Sequence, residues 1–114
     1  MNNPKATIII STHNQAKYLG QSITSAMSQT YSNTDVIVME DACTDNTSDV
    51  IDKLLLKYPD LEVEHTEDIG SSNARDIGVW LASSDYLVFL DGDDYIDKTF
   101  VEKTMDIMLQ DDNI

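Results

Sequence analysis

The sequence predicts an α/β protein built on a Rossmann-like, doubly wound parallel sheet of about four strands, with helices on both faces. Two observations carry this. Short apolar runs alternate with stretches of helical periodicity in the order β-α-β-α-β-α-β-α, the pattern of a parallel sheet wound by crossover helices. Three of the four apolar runs also lead directly into polar or acidic segments, STHN, EDACTD and DGDD. In open parallel sheets ligands bind beyond the carboxyl ends of the strands, near the reversal of strand order, so all three segments are expected on one rim.

Taken in order, Thr7 to Ile10 is a β-branched run that reads as a strand buried on both faces. After STHNQ, Leu19, Ile23, Ala26 and Met27 recur at helical spacing and predict a helix from Ala16 to about Gln29. Val36 to Met39 is a second buried strand, followed by Glu40 and Asp41. The segment ACTDNTSD offers several N-cap residues to a helix carrying Val50, Ile51, Leu54, Leu55 and Tyr58 on one face, which Pro59 stops. Leu61 to His65 alternates apolar and polar, as a half-exposed edge strand does. TEDIGSS then leads to a helix with Ala74, Ile77, Gly78 and Leu81 as its apolar positions. Tyr86 to Leu90 is the fourth strand, and a last helix carries Val101, Met105 and Met108 with its cap at Asp97 or Thr99.

At 114 residues the chain fits one domain, and 41% hydrophobic with 25% charged residues is a globular composition. Seven basic against 21 acidic residues give a net charge of −14. Such a surface repels nucleic acid, so no nucleic-acid partner is expected, and an anionic ligand would need a recruited cation. Cys43 stands alone, so no internal disulfide forms, which suits a reducing compartment. With no secretory signal and no apolar stretch near the roughly 20 residues of a membrane span, the expectation is a soluble, cytoplasmic chain.

DGDD can be read in several ways from the residues alone. It could be an acidic turn before the last helix, whose N-terminus favours negative charge. It could open a calcium loop, since DGDDYIDKTFVE has acids at its first, third and twelfth places, but Tyr95 and Ile96 occupy positions that need an oxygen ligand and a glycine. It could also hold a metal against a ligand. Asp41 and Asp45 could cap the second helix, and Arg75 could be a surface helix residue. His13 has no second His or Cys at ligand spacing and reads as a cleft-lining loop residue. Cys43 has no nearby base to activate it.

Together the segments TIIISTHNQAKYLGQSITSAMSQTY, DVIVMEDACTDNT and IGSSNARDIGVWLASSDYLVFLDGDD resemble the N-terminal half of family 2 glycosyltransferases with the GT-A fold. The resemblance runs from about Thr7 to Asp97 and lies in the order of its motifs. It implies that Thr12 and Asn14 border the nucleotide base, that Asp41 hydrogen-bonds the base, usually uracil, and that Asp45 supports that loop. It further implies that Arg75 faces the phosphates, and that Asp91 and Asp93 form the D-x-D pair that contacts the ribose and holds a divalent metal, with Asp94 sharing it. The implied cofactor is Mg²⁺ or Mn²⁺, hard cations that prefer carboxylate and phosphate oxygens. Gly92 is expected to give the tight turn between the carboxylates.

The implied partners are a nucleotide-diphosphate sugar donor, most simply a UDP-sugar, and a glycan or lipid-linked acceptor. The implied reaction is transfer to an acceptor hydroxyl with inversion, in polysaccharide or cell-envelope glycan synthesis, by a parent enzyme at the cytoplasmic membrane face. A rival from another class is a non-catalytic acidic metal-binding or phosphoacceptor-like interaction module. The phosphoacceptor version wants an acid pair after the first strand and a lysine after a late one, which are not present.

The sequence departs from the family pattern at Glu40, at Ala42 and Cys43 in place of Gly-Ser, and at Asp76 beside Arg75. The Gly-to-Ala change puts the loop's backbone in question. Family domains are also longer, with the acceptor site and catalytic base in their second half. Residues 1–114 are therefore expected to be the donor-binding part, truncated before that half, with the base beyond Ile114. Under the family's strand order, Tyr86 to Leu90 forms an edge whose faces the helices can cover but whose backbone stays open, without protective lysines or prolines. Self-association through that edge is the expectation.

Overall fold

A computed structural model describes residues 3–110. The elements are β1 (Ala6–Thr12), α1 (Ala16–Met27), β2 (Thr34–Asp41), α2 (Thr47–Lys57), β3 (Glu62–Thr66), α3 (Ser71–Leu81), β4 (Tyr86–Asp91) and α4 (Phe100–Gln110). The four strands form one parallel sheet in the order β3-β2-β1-β4. Because all pairings are parallel, the carboxyl ends of β1, β2 and β4 share one rim, and the strand order reverses between β1 and β4.

β1 is central, and its Ile8, Ile9 and Ile10 are fully buried on alternating faces. Burying each such side chain contributes roughly 1.5–3 kcal/mol. On one face Ile8, Ile10, Val36, Val38 and Leu90 pack with Leu19 and Ile23 of α1, Ile51 of α2, and Val101 and Met105 of α4. On the other, Ile9, Ile37 and Met39 pack with Ala74 of α3. Helices thus cover both faces, three on one and one on the other.

The strands run further than their apolar cores. Ser11 and Thr12 complete β1, and Glu40 and Asp41 complete β2, because neighbouring strands pair with them: Thr12 lies opposite Glu40 and Asp41 opposite Thr66. α1 ends at Met27, short of Gln29. Gln29 instead accepts the Val101 N–H through Oε1 and donates Nε2 to the Asp97 carbonyl, tying the end of α1 to the start of α4. Both expected caps of α4 act at its start: the Asp97 carboxylate accepts the Thr99 N–H and hydroxyl and its carbonyl the Phe100 N–H, while the Thr99 carbonyl accepts the Lys103 N–H. The Thr99 hydroxyl and N–H hold the Asp97 pKa below the ordinary aspartate value.

Two expectations about packing need correction. α3 buries only Ala74 and Gly78, while Ile77 and Leu81 are exposed, because a lone helix on that face touches the sheet along a narrow stripe. The same sparse cover leaves β4 open on its α3 side, where Phe89 is 50% exposed. The helices therefore do not cover both faces of this edge strand. No described helix is long and apolar enough to cross a membrane.

Candidate functional site

The rim holds a cavity of about 220 Å³. It is lined by four of the sequence-predicted residues, Thr12, Asp41, Asp91 and Asp93, and by Ser11, His13, Gln15 and Ser71. Asn14, Asp45, Arg75 and Asp94 lie outside the lining. Gln15 and Ser71 escaped the sequence reading. Their signal was only their place, Gln15 after STHN and Ser71 at the first turn of α3.

Asp41 ends β2, and its carboxylate is nearly buried. Oδ1 accepts the Thr66 hydroxyl at 2.7 Å and the Ile69 N–H at 3.0 Å, and Oδ2 accepts the Gly70 N–H at 2.9 Å. Burial alone would raise its pKa, but these bonds outweigh burial and lower it. Asp41 thus stays ionised while it organises the loop that precedes α3.

Asn14 and Asp45 form a clamp between the β1–α1 and β2–α2 loops. Asn14 Oδ1 accepts the N–H groups of Thr44 at 2.7 Å and Asp45 at 3.2 Å. Asp45 Oδ2 accepts the Ala16 N–H that opens α1, and its Oδ1 accepts the N–H and hydroxyl of Thr47 that open α2. The Thr47 hydroxyl first, and then the Ala16 and Thr47 amides, lower its pKa. One carboxylate thus serves two helix N-termini.

β4 delivers the acids. One carboxylate oxygen from each of Asp91, Asp93 and Asp94 lies within 4.8 Å of the others, and all three residues are exposed. Three hard oxygen donors in one cluster fit Mg²⁺ or Mn²⁺. Arg75 reaches from α3 to Asp91, with Nη1 at 3.6 Å from Oδ1. His13, Asp41 and Asp68 form a second group of three, but the Asp41 oxygens already accept the bonds described above, and His13 Nδ1 lies 2.5 Å from the Asp41 carbonyl.

Gly92 has a different reason to be glycine from the one expected. Its φ is not in the left-handed region, where Gly70 is the one glycine among the described residues. A Cβ at residue 92 would instead lie 2.7 Å from Thr12 Cβ and Oγ1 and 2.6 Å from Gln15 Oε1. The acidic turn is pressed against the end of β1, where its N–H bonds to the Ser11 carbonyl at 2.9 Å. The Thr12 hydroxyl is buried there without a hydrogen-bond partner.

Residues 7–114 match the profile of glycosyl transferase family 2. The chain belongs to that family. Among relatives of this family 2 glycosyltransferase chain, an uncharacterized glycosyltransferase of Haemophilus influenzae is 36% identical over 111 residues, covering 96% of this chain and 44% of that protein. The crystal structure of S. aureus TarS 1-349 in complex with UDP is 25% identical with a TM-score of 0.82, covering 93% of this chain and 32% of that one. The mannosyltransferase PcManGT from Pyrobaculum calidifontis, in complex with GDP-Man and Mn²⁺, shares the fold at 24% identity and a TM-score of 0.76, covering 83% of this chain and 29% of its own. The four-stranded Rossmann-like sheet is therefore that of the GT-A fold, and the family 2 chain spans less than half the length of each of these proteins.

Proposed function

We propose that this family 2 chain binds a nucleoside-diphosphate sugar, specifically a UDP-sugar, with Mg²⁺ or Mn²⁺, as the donor-binding part of a glycosyltransferase that transfers the sugar to a hydroxyl with inversion. The observation that carries the reading is the convergence of Thr12, Asp41, Asp91 and Asp93 on one cavity at the switch in strand order. UDP in the TarS complex supports the choice of nucleotide.

In this reading Asp41, which lines the cavity, borders the base, and the unpartnered Thr12 hydroxyl bonds the same nucleotide. Asp91, Asp93 and Asp94 would hold the cation, which when bound supplies charge neutralisation and Lewis-acid help to the departing diphosphate. Without a cation, a net charge of −14 opposes diphosphate entry. Arg75 adds the planar, permanently charged group suited to phosphate oxygens. The Asn14–Asp45 clamp holds the two loops that frame the base side. The acceptor, a glycan or lipid-linked hydroxyl, and a place at the cytoplasmic membrane face in envelope glycan synthesis complete the proposal. Calorimetric titration of the chain with UDP, with and without Mn²⁺, tests it.

A further inference from the structure

α3 lies unusually close to the sheet at one point. A Cβ built on Gly78 would lie 2.7 Å from Ile9 Cγ2, 3.4 Å from Met39 Cγ and 3.5 Å from Ile9 Cδ1. Ile9 is fully buried in the central strand, and its Cγ2 branches next to the backbone, so it cannot swing aside as a long flexible tip would. Restoring ordinary contact would lift the helix by about 1 Å. Three residues earlier the same helix carries Arg75, whose guanidinium reaches Asp91 at 3.6 Å. Asp91 sits two residues beyond Phe89, which pairs with Ile9 in the sheet register. The point where α3 rests and the point where Arg75 reaches are thus fixed to the same pair of strands.

We infer that Gly78 is a positioning residue: by letting α3 rest directly on Ile9, it sets the height at which Arg75 meets Asp91 and the diphosphate side of the site. The nucleotide part of this inference rests on the donor-binding reading above, whereas the Arg75–Asp91 part does not. Helix propensity points the other way, since glycine inside a helix is less favourable than alanine. A loss on Gly78→Ala would therefore come from displacement, not from a weaker helix. A lift of that size carries a pair already at 3.6 Å out of ion-pair range.

The test compares Gly78→Ala in two backgrounds, wild type and Arg75→Ala, by calorimetry with UDP and Mn²⁺. The expected result is about a tenfold loss of affinity with Arg75 present, the order of one charge-assisted hydrogen bond, and no further loss in the Arg75→Ala background. A third protein, Ile9→Leu with Gly78→Ala, removes the γ2 methyl while conserving volume and should recover most of the affinity. Equal losses in both backgrounds, no loss in either, or no recovery would overturn the inference.

Arg75 is the sole arginine, so its Nε–Hε gives a single nuclear magnetic resonance cross-peak that reports without nucleotide. That peak should shift in Gly78→Ala in the direction seen for Asp91→Asn, and return with Ile9→Leu. If wild type fails to bind UDP, the donor-binding reading fails, and this cross-peak alone decides the role of Gly78. An unmoved peak overturns it.

Discussion

Asp41 and Gly70 are joined by a 2.9 Å hydrogen bond from the Gly70 N–H to Oδ2, so the acid that ends β2 holds the residue that opens α3. Ile69 and Thr66 bond the other oxygen, and one carboxylate secures the whole approach to Ser71 and Arg75.

That arrangement fixes a pH dependence. The folded Asp41 carboxyl titrates below its ordinary value, so its contribution to stability is complete above the unfolded pKa of about 3.9. It is lost as pH falls through the lower, folded value. Asp41→Asn should cost about 2 kcal/mol at pH 7 and flatten the acid limb of stability below about pH 4, as read by urea unfolding from pH 7 to 3.

Ala42 occupies the left-handed region at φ 48, where its Cβ costs roughly 1–2 kcal/mol. Ala42→Gly should therefore raise stability by about 0.5–1 kcal/mol after the entropy of glycine is subtracted. Thermal unfolding at fixed pH checks this, and an unchanged or lower midpoint counts against it.

Asn14 also has a positive φ, 54, and bonds two N–H groups of the neighbouring loop. Asn14→Ala loses the bonds and strains the backbone, for about 2–3 kcal/mol. Asn14→Gly loses the bonds alone and should be milder by about 1 kcal/mol. Equal effects would mean that the backbone at Asn14 relaxes freely.

The alternation of strands and helices and the gathering of acids on one rim were legible, because buried β-branched runs end in polar segments; the strand order came from the family resemblance. The strand ends were not. Ser11, Thr12, Glu40 and Asp41 are polar, yet cross-strand pairing draws them into the sheet. The clamping roles of Asn14 and Asp45 and the reason for Gly92 depend on contacts between loops distant in sequence, which periodicity does not encode. The Ala42 departure was visible, and its left-handed backbone explains why a glycine is usual there. The narrow seat of α3, with Ile77 and Leu81 outside it, follows because among the described residues α3 is the one helix packed on that face.

β4 ends the sheet, and among the described residues no strand pairs with its outer side. With Phe89 half exposed beside it, we propose self-association through Tyr86–Leu90. Light scattering on a gel-filtration column should show mass rising with concentration, and Phe89→Lys should restore a monomer by placing a charge on the edge. A monomeric wild type at high concentration would contradict this.

The donor-binding account stands most directly on one titration, UDP into the chain with Mn²⁺ and then in excess EDTA. Binding should appear with the metal and vanish without it, and Asp93→Ala should abolish both the binding and its metal dependence, because the carboxylates of Asp91, Asp93 and Asp94 repel a diphosphate unless a cation lies between. Equal affinity with and without EDTA, or no binding under either condition, would contradict it.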